Sequence, residues 1–143
     1  MHDTKALYSI GQFIARQARA YAAKSGAKAN EVIDYTPLLK RWQPGVHTAG
    51  EVVVEDDYPY RVIQTHDSTY NPDWNPKAVP AMFAPFHATD KAHALPWRAP
   101  THAGDAYNEG EWMIWTDGAA YECLQDATVY DPEVLPSAWR KDE

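Results

Sequence analysis

Apolar and polar residues follow two different periods along this chain. From residue 4 to 24, Leu7, Ile10, Ile14 and Tyr21 recur at helical spacing with Ala6 and Phe13 beside them. That spacing predicts one amphipathic helix. Thr4 is placed to cap its start and Ser25-Gly26 to stop it. The stripe covers one side only, so it has to be buried against the rest of the chain or against other copies. Gln17 lies in line with it and fits a coiled-coil-like seam as a register device. Residues 30 to 41 predict a short second helix or turn. Asn30 is its expected cap, and Pro37 prevents one long helix.

From residue 50 the period changes to two. Gly50 opens the run Val52-Val53-Val54, and the polar turn Glu55-Asp56-Asp57 follows. Tyr58 to Thr65 then places Tyr60, Val62 and Gln64 on one face and Arg61, Ile63 and Thr65 on the other. Two β-rich runs joined by a short acidic turn predict a hairpin, with strands near 51–55 and 59–65. A proline-punctuated loop carrying Tyr70 and Trp74 closes on Pro80.

The pattern then recurs in degenerate form after an irregular, proline-rich stretch from Pro85 to Ala106 that is expected to be an ordered linker. Gly110-Glu111 matches Gly50-Glu51, and Trp112-Met113-Ile114-Trp115 replaces the valine run. Thr116-Asp117-Gly118 is a turn signal. Tyr121 to Gln125 aligns with Tyr60 to Gln64, Tyr130-Asp-Pro132 with Trp74-Asn-Pro76, and Leu135-Pro136 to Trp139 with Val79-Pro80 to Phe83. The loop from the glutamine to the proline is shortened in this copy. Strands are expected near 111–116 and 120–125. A repeat at consistent spacing strengthens both assignments.

The expected fold is α+β, mainly β: an N-terminal helical segment over residues 1–41, a first hairpin-centred module over 42–86, a linker over 87–96 and a second module over 97–143. Composition narrows what such a chain can do. It has 143 residues, 45% of them hydrophobic, with 11 prolines and 9 tyrosines, and a mean hydropathy of −0.58. These values predict short strands, many turns and exposed aromatics. Modules this small are marginal alone and need a partner surface. A single cysteine excludes an intrachain disulfide and a cysteine-rich zinc site. The formal net charge of −7 argues against nucleic acid and against an anionic membrane surface. No apolar run approaches the length of a membrane helix. The start MHDTKALYSIGQF does not read as a signal peptide, so an extracellular role is expected to use another route, such as assembly into a virion released by lysis.

The segment Trp42-x-Pro-Gly, Gly50-Glu-Val-Val, Tyr60-x-Val-x-Gln-x-His66-x-Ser68, Trp74-x-Pro76, Val79-Pro80-Ala81-x-Phe83 resembles the small chitin-binding modules of carbohydrate-binding families 5 and 12. Similar modules occur near the C-termini of bacteriophage tail and fibre proteins, often after an N-terminal helix. The resemblance implies a non-catalytic protein that binds cell-surface or cell-wall glycan of the chitin or N-acetylglucosamine type. It also implies residence in a virion or outside the cell. By the same resemblance Trp74 is the main sugar-stacking residue, while Trp42, Tyr60, Tyr121, Phe83 and Trp139 hold the small cores together and His66 ties the loop to the sheet.

The residues themselves support parts of this. Sugar binding needs flat apolar faces, because the C–H faces of a pyranose stack on Trp or Tyr with little side-chain entropy to lose. Trp74 lies between Asp73 and Asn75 in a loop stiffened by Pro72 and Pro76, a setting that predicts exposure. Tyr70 shares that loop, and Tyr130 occupies the matching place in the second copy. Trp112 and Trp115 fall on opposite faces of one strand, so one of them is exposed or covered by another chain. Trp74, Tyr70, Tyr130 and Trp112 are therefore the carbohydrate-binding candidates. No catalytic residue, metal or cofactor is expected. The cluster Glu55-Asp56-Asp57 reads as a solvated turn, no cleft is evident for a glycosidase carboxylate pair, and the six histidines lack metal-ligand spacing. Cys123 reads as a small buried hydrophobe. The N-terminal stripe predicts a homo-oligomer, a trimer among the options. The alternative reading is a structural virion assembly protein whose aromatic loops grip other virion proteins.

Overall fold

The computed structural model describes residues 4–143. Helix α1, Thr4–Ala22, realises the helical period; what caps its start lies outside the described residues. The short α2, Ala29–Asp34, and a 3-10 turn over Thr36–Leu38 follow. Helical residues make up 28% and strand residues 24% of the chain, an α+β composition. Asn30 does not cap α2. It lies inside the helix, where its side-chain oxygen accepts from the Thr89 amide at 2.8 Å and its amide donates to Asp90 at 3.0 Å. The asparagine therefore ties α2 to a segment sixty residues away rather than satisfying its own helix end.

The first sheet contains β1 (Lys40–Arg41), β3 (Val52–Glu55), β4 (Tyr58–Val62) and β6 (Phe83–Pro85) in that order. β3 and β4 form the predicted hairpin, with Val53 opposite Tyr60. Its two-residue turn holds Asp56 at φ 52° and Asp57 at φ 62°. Both residues are in the left-handed region, the geometry whose twist suits a hairpin and which aspartate tolerates. A two-stranded ribbon, β2 (Val46–His47) with β5 (His66–Asp67), closes one end of this module. The second sheet runs β7 (Leu95–Pro96), β8 (Trp112–Ile114), β9 (Ala120–Cys123) and β10 (Trp139–Lys141). The stretch expected to link the modules thus supplies β7, an edge strand of the second sheet.

The two sheets share one plan. Each has a parallel two-residue edge strand, an antiparallel hairpin and an antiparallel closing strand, with Lys40 opposite Val53 where Leu95 is opposite Met113. Val62 faces Phe83 in register as Cys123 faces Trp139. The loop bonds recur as well. The Gly50 amide donates to Val62 at 2.8 Å and the Gly110 amide to Cys123 at 2.9 Å, while Trp42 donates to Val54 and Trp97 to Ile114. Glu51 accepts from the Thr48 amide, and Glu111 accepts from that of Asn108. The sequence repeat is a repeat of hydrogen bonds.

The first sheet is covered on both faces, which is why Val52, Val53 and Val54 are all buried. Val52 and Val54 pack with Ala18, Ala22, Val32 and Leu39 beneath the helices. Val53 packs with Tyr60, Val62 and Phe83 on the other side. The helix docks by its C-terminal turns, where the small side chains of Ala18 and Ala22 let the backbone approach closely and the half-buried Tyr21 packs beside them. Arg61 fixes this contact. Its guanidinium donates to the carbonyls of Ala22 at 2.9 Å and Lys24 at 3.2 Å, satisfying the end of α1 where the helix dipole favours a cation. The stripe of Leu7, Ile10, Phe13 and Ile14 stays about half exposed.

Two side chains lock the modules together. His87 is buried, stacked on Tyr107 with ring centroids 3.8 Å apart. Its Nε2 donates to the Asp105 carbonyl at 3.1 Å, so Nδ1 accepts from the Tyr58 hydroxyl at 3.0 Å. Arg98, just after β7, reaches back onto the first module. It donates to the Tyr60 hydroxyl at 2.9 Å, the Pro76 carbonyl at 3.0 Å and Asp105 at 3.3 Å.

Candidate functional site

The second sheet presents an open aromatic cleft of about 410 Å³. Met113, Tyr121, Cys123, Trp139 and Lys141 are in register on one face of that sheet. Met113 and Cys123 are buried in the core beneath it, with Trp139 only 6% exposed beside them. Trp115 follows the same face two residues after Met113. Trp115 and Tyr121 are half-buried and leave ring surface open to the cleft, whose polar border includes Asp117, Glu133 and Lys141.

Each wall is held from behind. Trp97 meets Trp115 edge-on, with ring centroids 5.6 Å apart. The Trp139 indole donates to the Tyr130 carbonyl at 2.9 Å, fixing the loop that carries Pro132 and Glu133. The Tyr121 hydroxyl donates to Asp117 at 2.7 Å, and the Lys141 ammonium lies 3.5 Å from the same carboxylate oxygen. The tyrosine bond holds Asp117 below the usual carboxylate range and raises Tyr121 above the usual phenol value. A preformed cleft with two open ring faces and a rim of hydrogen-bonding groups suits a ligand that is flat and apolar on one side and polar at its edges. A pyranose has that shape.

None of the four residues singled out in the sequence lines this cleft. Tyr70 is 91% exposed in the long loop of the first module, and Trp74 in the same loop is half-buried. Tyr130 is exposed beside the cleft wall, contributing its carbonyl rather than its ring. Trp112 lies on the opposite face of β8, in register with Glu122, which is ion-paired with Arg140. The structure therefore does not gather these four into one site. The strand alternation that separated Trp112 from Trp115 was the available signal. Trp115 is the member of that pair that opens onto the cleft.

The matching surface of the first module is a smaller cavity of about 300 Å³, with its tyrosine ring covered. There the guanidinium carbon of Arg98 lies 5.1 Å from the centre of the Tyr60 ring, the partner of Tyr121 in the repeat. Glu55, Asp56 and Lys77 border it. Burial raises the Glu55 carboxyl above its ordinary value, against the pull of the Lys77 amide and of the cations nearby. Elsewhere, Cys123 is buried and its thiol is pushed up by burial. Among the described residues no group of three or more His, Cys, Asp and Glu side chains is placed to hold a metal. No helix among them is long and apolar enough to cross a membrane. The chain matches no protein-family model and none of the curated proteins compared with it.

Proposed function

We propose that this chain is a non-catalytic carbohydrate-binding protein that holds a cell-surface or cell-wall glycan of the chitin or N-acetylglucosamine type, as an accessory of a phage tail or virion surface. The observation that carries this reading is the second-module cleft, where the rings of Trp115 and Tyr121 stay open to water above a filled core. The resemblance of residues 42 to 83 to chitin-binding modules supports a sugar over other flat ligands. Tyr70 and Trp74 offer a second, less enclosed aromatic surface on the first module.

Pull-down on insoluble chitin and on isolated cell walls tests this. Trp115→Ala is expected to weaken binding roughly tenfold to a hundredfold, the ~1–3 kcal/mol typical of one stacked aromatic, while the thermal melt shifts little. Trp74→Ala and Tyr70→Ala are expected to have smaller effects, because their ring faces are not part of a cleft. If Trp74→Ala abolishes binding and Trp115→Ala leaves it intact, the site belongs to the first-module loop instead.

A second reading, a structural assembly protein, is favoured by one observation. Leu7, Ile10, Ile14, Gln17 and Tyr21 alternate three and four residues apart, the spacing of a coiled-coil seam. Leu7 and Ile10 are 58% and 55% exposed, so the start of that seam is uncovered within one chain. Other copies of α1 are the expected cover. Light scattering at micromolar concentration is expected to show a homo-oligomer for the intact chain and a smaller species for Ile10→Asp. The melt of the β modules should be unchanged, since Ile10 is exposed and the helix meets the core through Ala18, Tyr21 and Ala22 at its other end. A wild-type chain that is monomeric and stays folded on dilution contradicts this.

A further inference from the structure

The two modules hold the same surface in two states, one with an arginine set over its tyrosine and one without. On the first module the guest is a cation. The Arg98 guanidinium lies over the Tyr60 ring, donates to the Tyr60 hydroxyl and donates to the carbonyl of Pro76. On the second module the corresponding groups are Tyr121 and Pro132, both at the open cleft. The hydroxyl of Tyr121 gives its proton to Asp117 and keeps its lone pairs for an incoming donor.

The charges around the open cleft complete the match. Asp117 has Lys141 as its neighbour. Glu133 takes the place of Lys77 in the repeat, and among the described residues no basic group pairs with it. Its charge nevertheless reaches Tyr121, where it helps raise the phenol. A cation set over Tyr121 would therefore meet a ring face, a hydroxyl oxygen and an uncompensated carboxylate. The net charge of −7 acts in the same direction, attracting polycations and repelling polyanionic polymers.

We propose that the Trp115–Tyr121 cleft takes an amino-sugar unit whose amine is free and protonated, so that the preferred glycan is a de-N-acetylated, polycationic one. This rests on the carbohydrate-binding reading above. The sugar face stacks on Trp115 while its ammonium group sits where Arg98 sits on the first module, donating to Tyr121 and Glu133. An N-acetyl group would cancel the charge and leave Glu133 without a partner.

The test is calorimetric titration of the full chain with two oligomers of equal length, β-1,4-linked glucosamine and β-1,4-linked N-acetylglucosamine, at a pH where the amine is protonated. The glucosamine oligomer is expected to bind roughly tenfold tighter, the effect of one charge-assisted hydrogen bond. Added salt should erode the difference. Glu133→Gln should abolish the preference while leaving the weaker binding of the acetylated oligomer. Equal or tighter binding of the acetylated oligomer overturns this inference and leaves the sugar-binding reading standing. Binding of neither oligomer overturns both. Displacement of the glucosamine oligomer by an arginine-rich peptide of equal charge, at equal concentration, would show that the cleft reads a cation without a sugar, and this too overturns the inference.

Discussion

Replacing Arg98 by alanine is expected to destabilise the whole chain by about 2–6 kcal/mol, the cost of leaving two buried polar groups without their donor. The side chain of Arg98 is only 10% exposed, and it links three groups that lie on both modules. Asp105 would survive its loss best, because it also accepts from the Thr101 amide, the Thr101 hydroxyl and the His102 amide. The Tyr60 hydroxyl and the Pro76 carbonyl would be left without their guanidinium donor at the module boundary, at about 1–3 kcal/mol for each buried polar group unpaired. Thermal unfolding should shift down by roughly 10 °C. Arg98→Lys should recover only part of this, since an ammonium cannot present the same planar fork to a hydroxyl, a carbonyl and a carboxylate. A melt of Arg98→Ala unchanged from wild type would mean that the modules fold without this contact.

Arg98 also marks where the sequence stops being readable. The hairpins were legible because alternation over four or five residues, bounded by Gly50 and the Asp56-Asp57 turn, has few other solutions. The helix was legible for the same reason at its own period. The strands Lys40–Arg41 and Leu95–Pro96 were not, because two residues carry no period and their parallel partners lie thirteen and eighteen positions further on. The stretch around residues 87 to 105 looked irregular because its order comes from single long-range contacts. His87 reaches Tyr58, Asn30 reaches Thr89, and Arg98 reaches Tyr60. None of these leaves a pattern along the chain.

The aromatic cleft was half legible. The repeat placed Tyr121 opposite Tyr60, the resemblance to chitin-binding modules implied a core role for both, and Tyr60 is 2% exposed. It is buried partly because Arg98 covers it, and Tyr121 has no such cover. Equivalent positions in a repeat thus take opposite roles according to what the neighbouring module supplies. The helix shows a related limit. Ala18 continues the stripe four residues after Ile14, so the period marks the apolar face but not how much of its length is covered. Only the C-terminal turns meet the core, where Ala18, Ala22 and the half-buried Tyr21 pack, while Leu7, Ile10 and Ile14 stay exposed.

Acidification is expected to loosen the contact between the modules through His87, and the effect becomes visible when one opposing group is removed. Burial pulls the His87 imidazole down from 6.5 to about 4. The folded chain therefore resists a proton that the unfolded chain accepts, so this contribution is complete above pH 6.5 and is lost as pH falls towards about 4. At about 1.4 kcal/mol per pH unit the interval amounts to about 3 kcal/mol. Protonation at Nδ1 would also remove the acceptor for the Tyr58 hydroxyl. Glu111 works against this. Burial pushes its carboxyl up from 4.5 to about 7, so it takes up a proton more readily when folded and stabilises the chain increasingly as pH falls through that range. Its contribution is the smaller, because it is only half-buried and water screens it. Wild type should therefore show a shallow pH dependence between 4.5 and 6.5, with the two slopes opposed. Glu111→Gln should steepen it, losing about 3 kcal/mol between pH 6.5 and 4 by chemical denaturation. The double variant Glu111→Gln with His87→Gln should be clearly shallower than Glu111→Gln alone, since glutamine can donate and accept but does not titrate. A flat profile in Glu111→Gln alone would show that His87 does not carry the acid sensitivity of the module boundary.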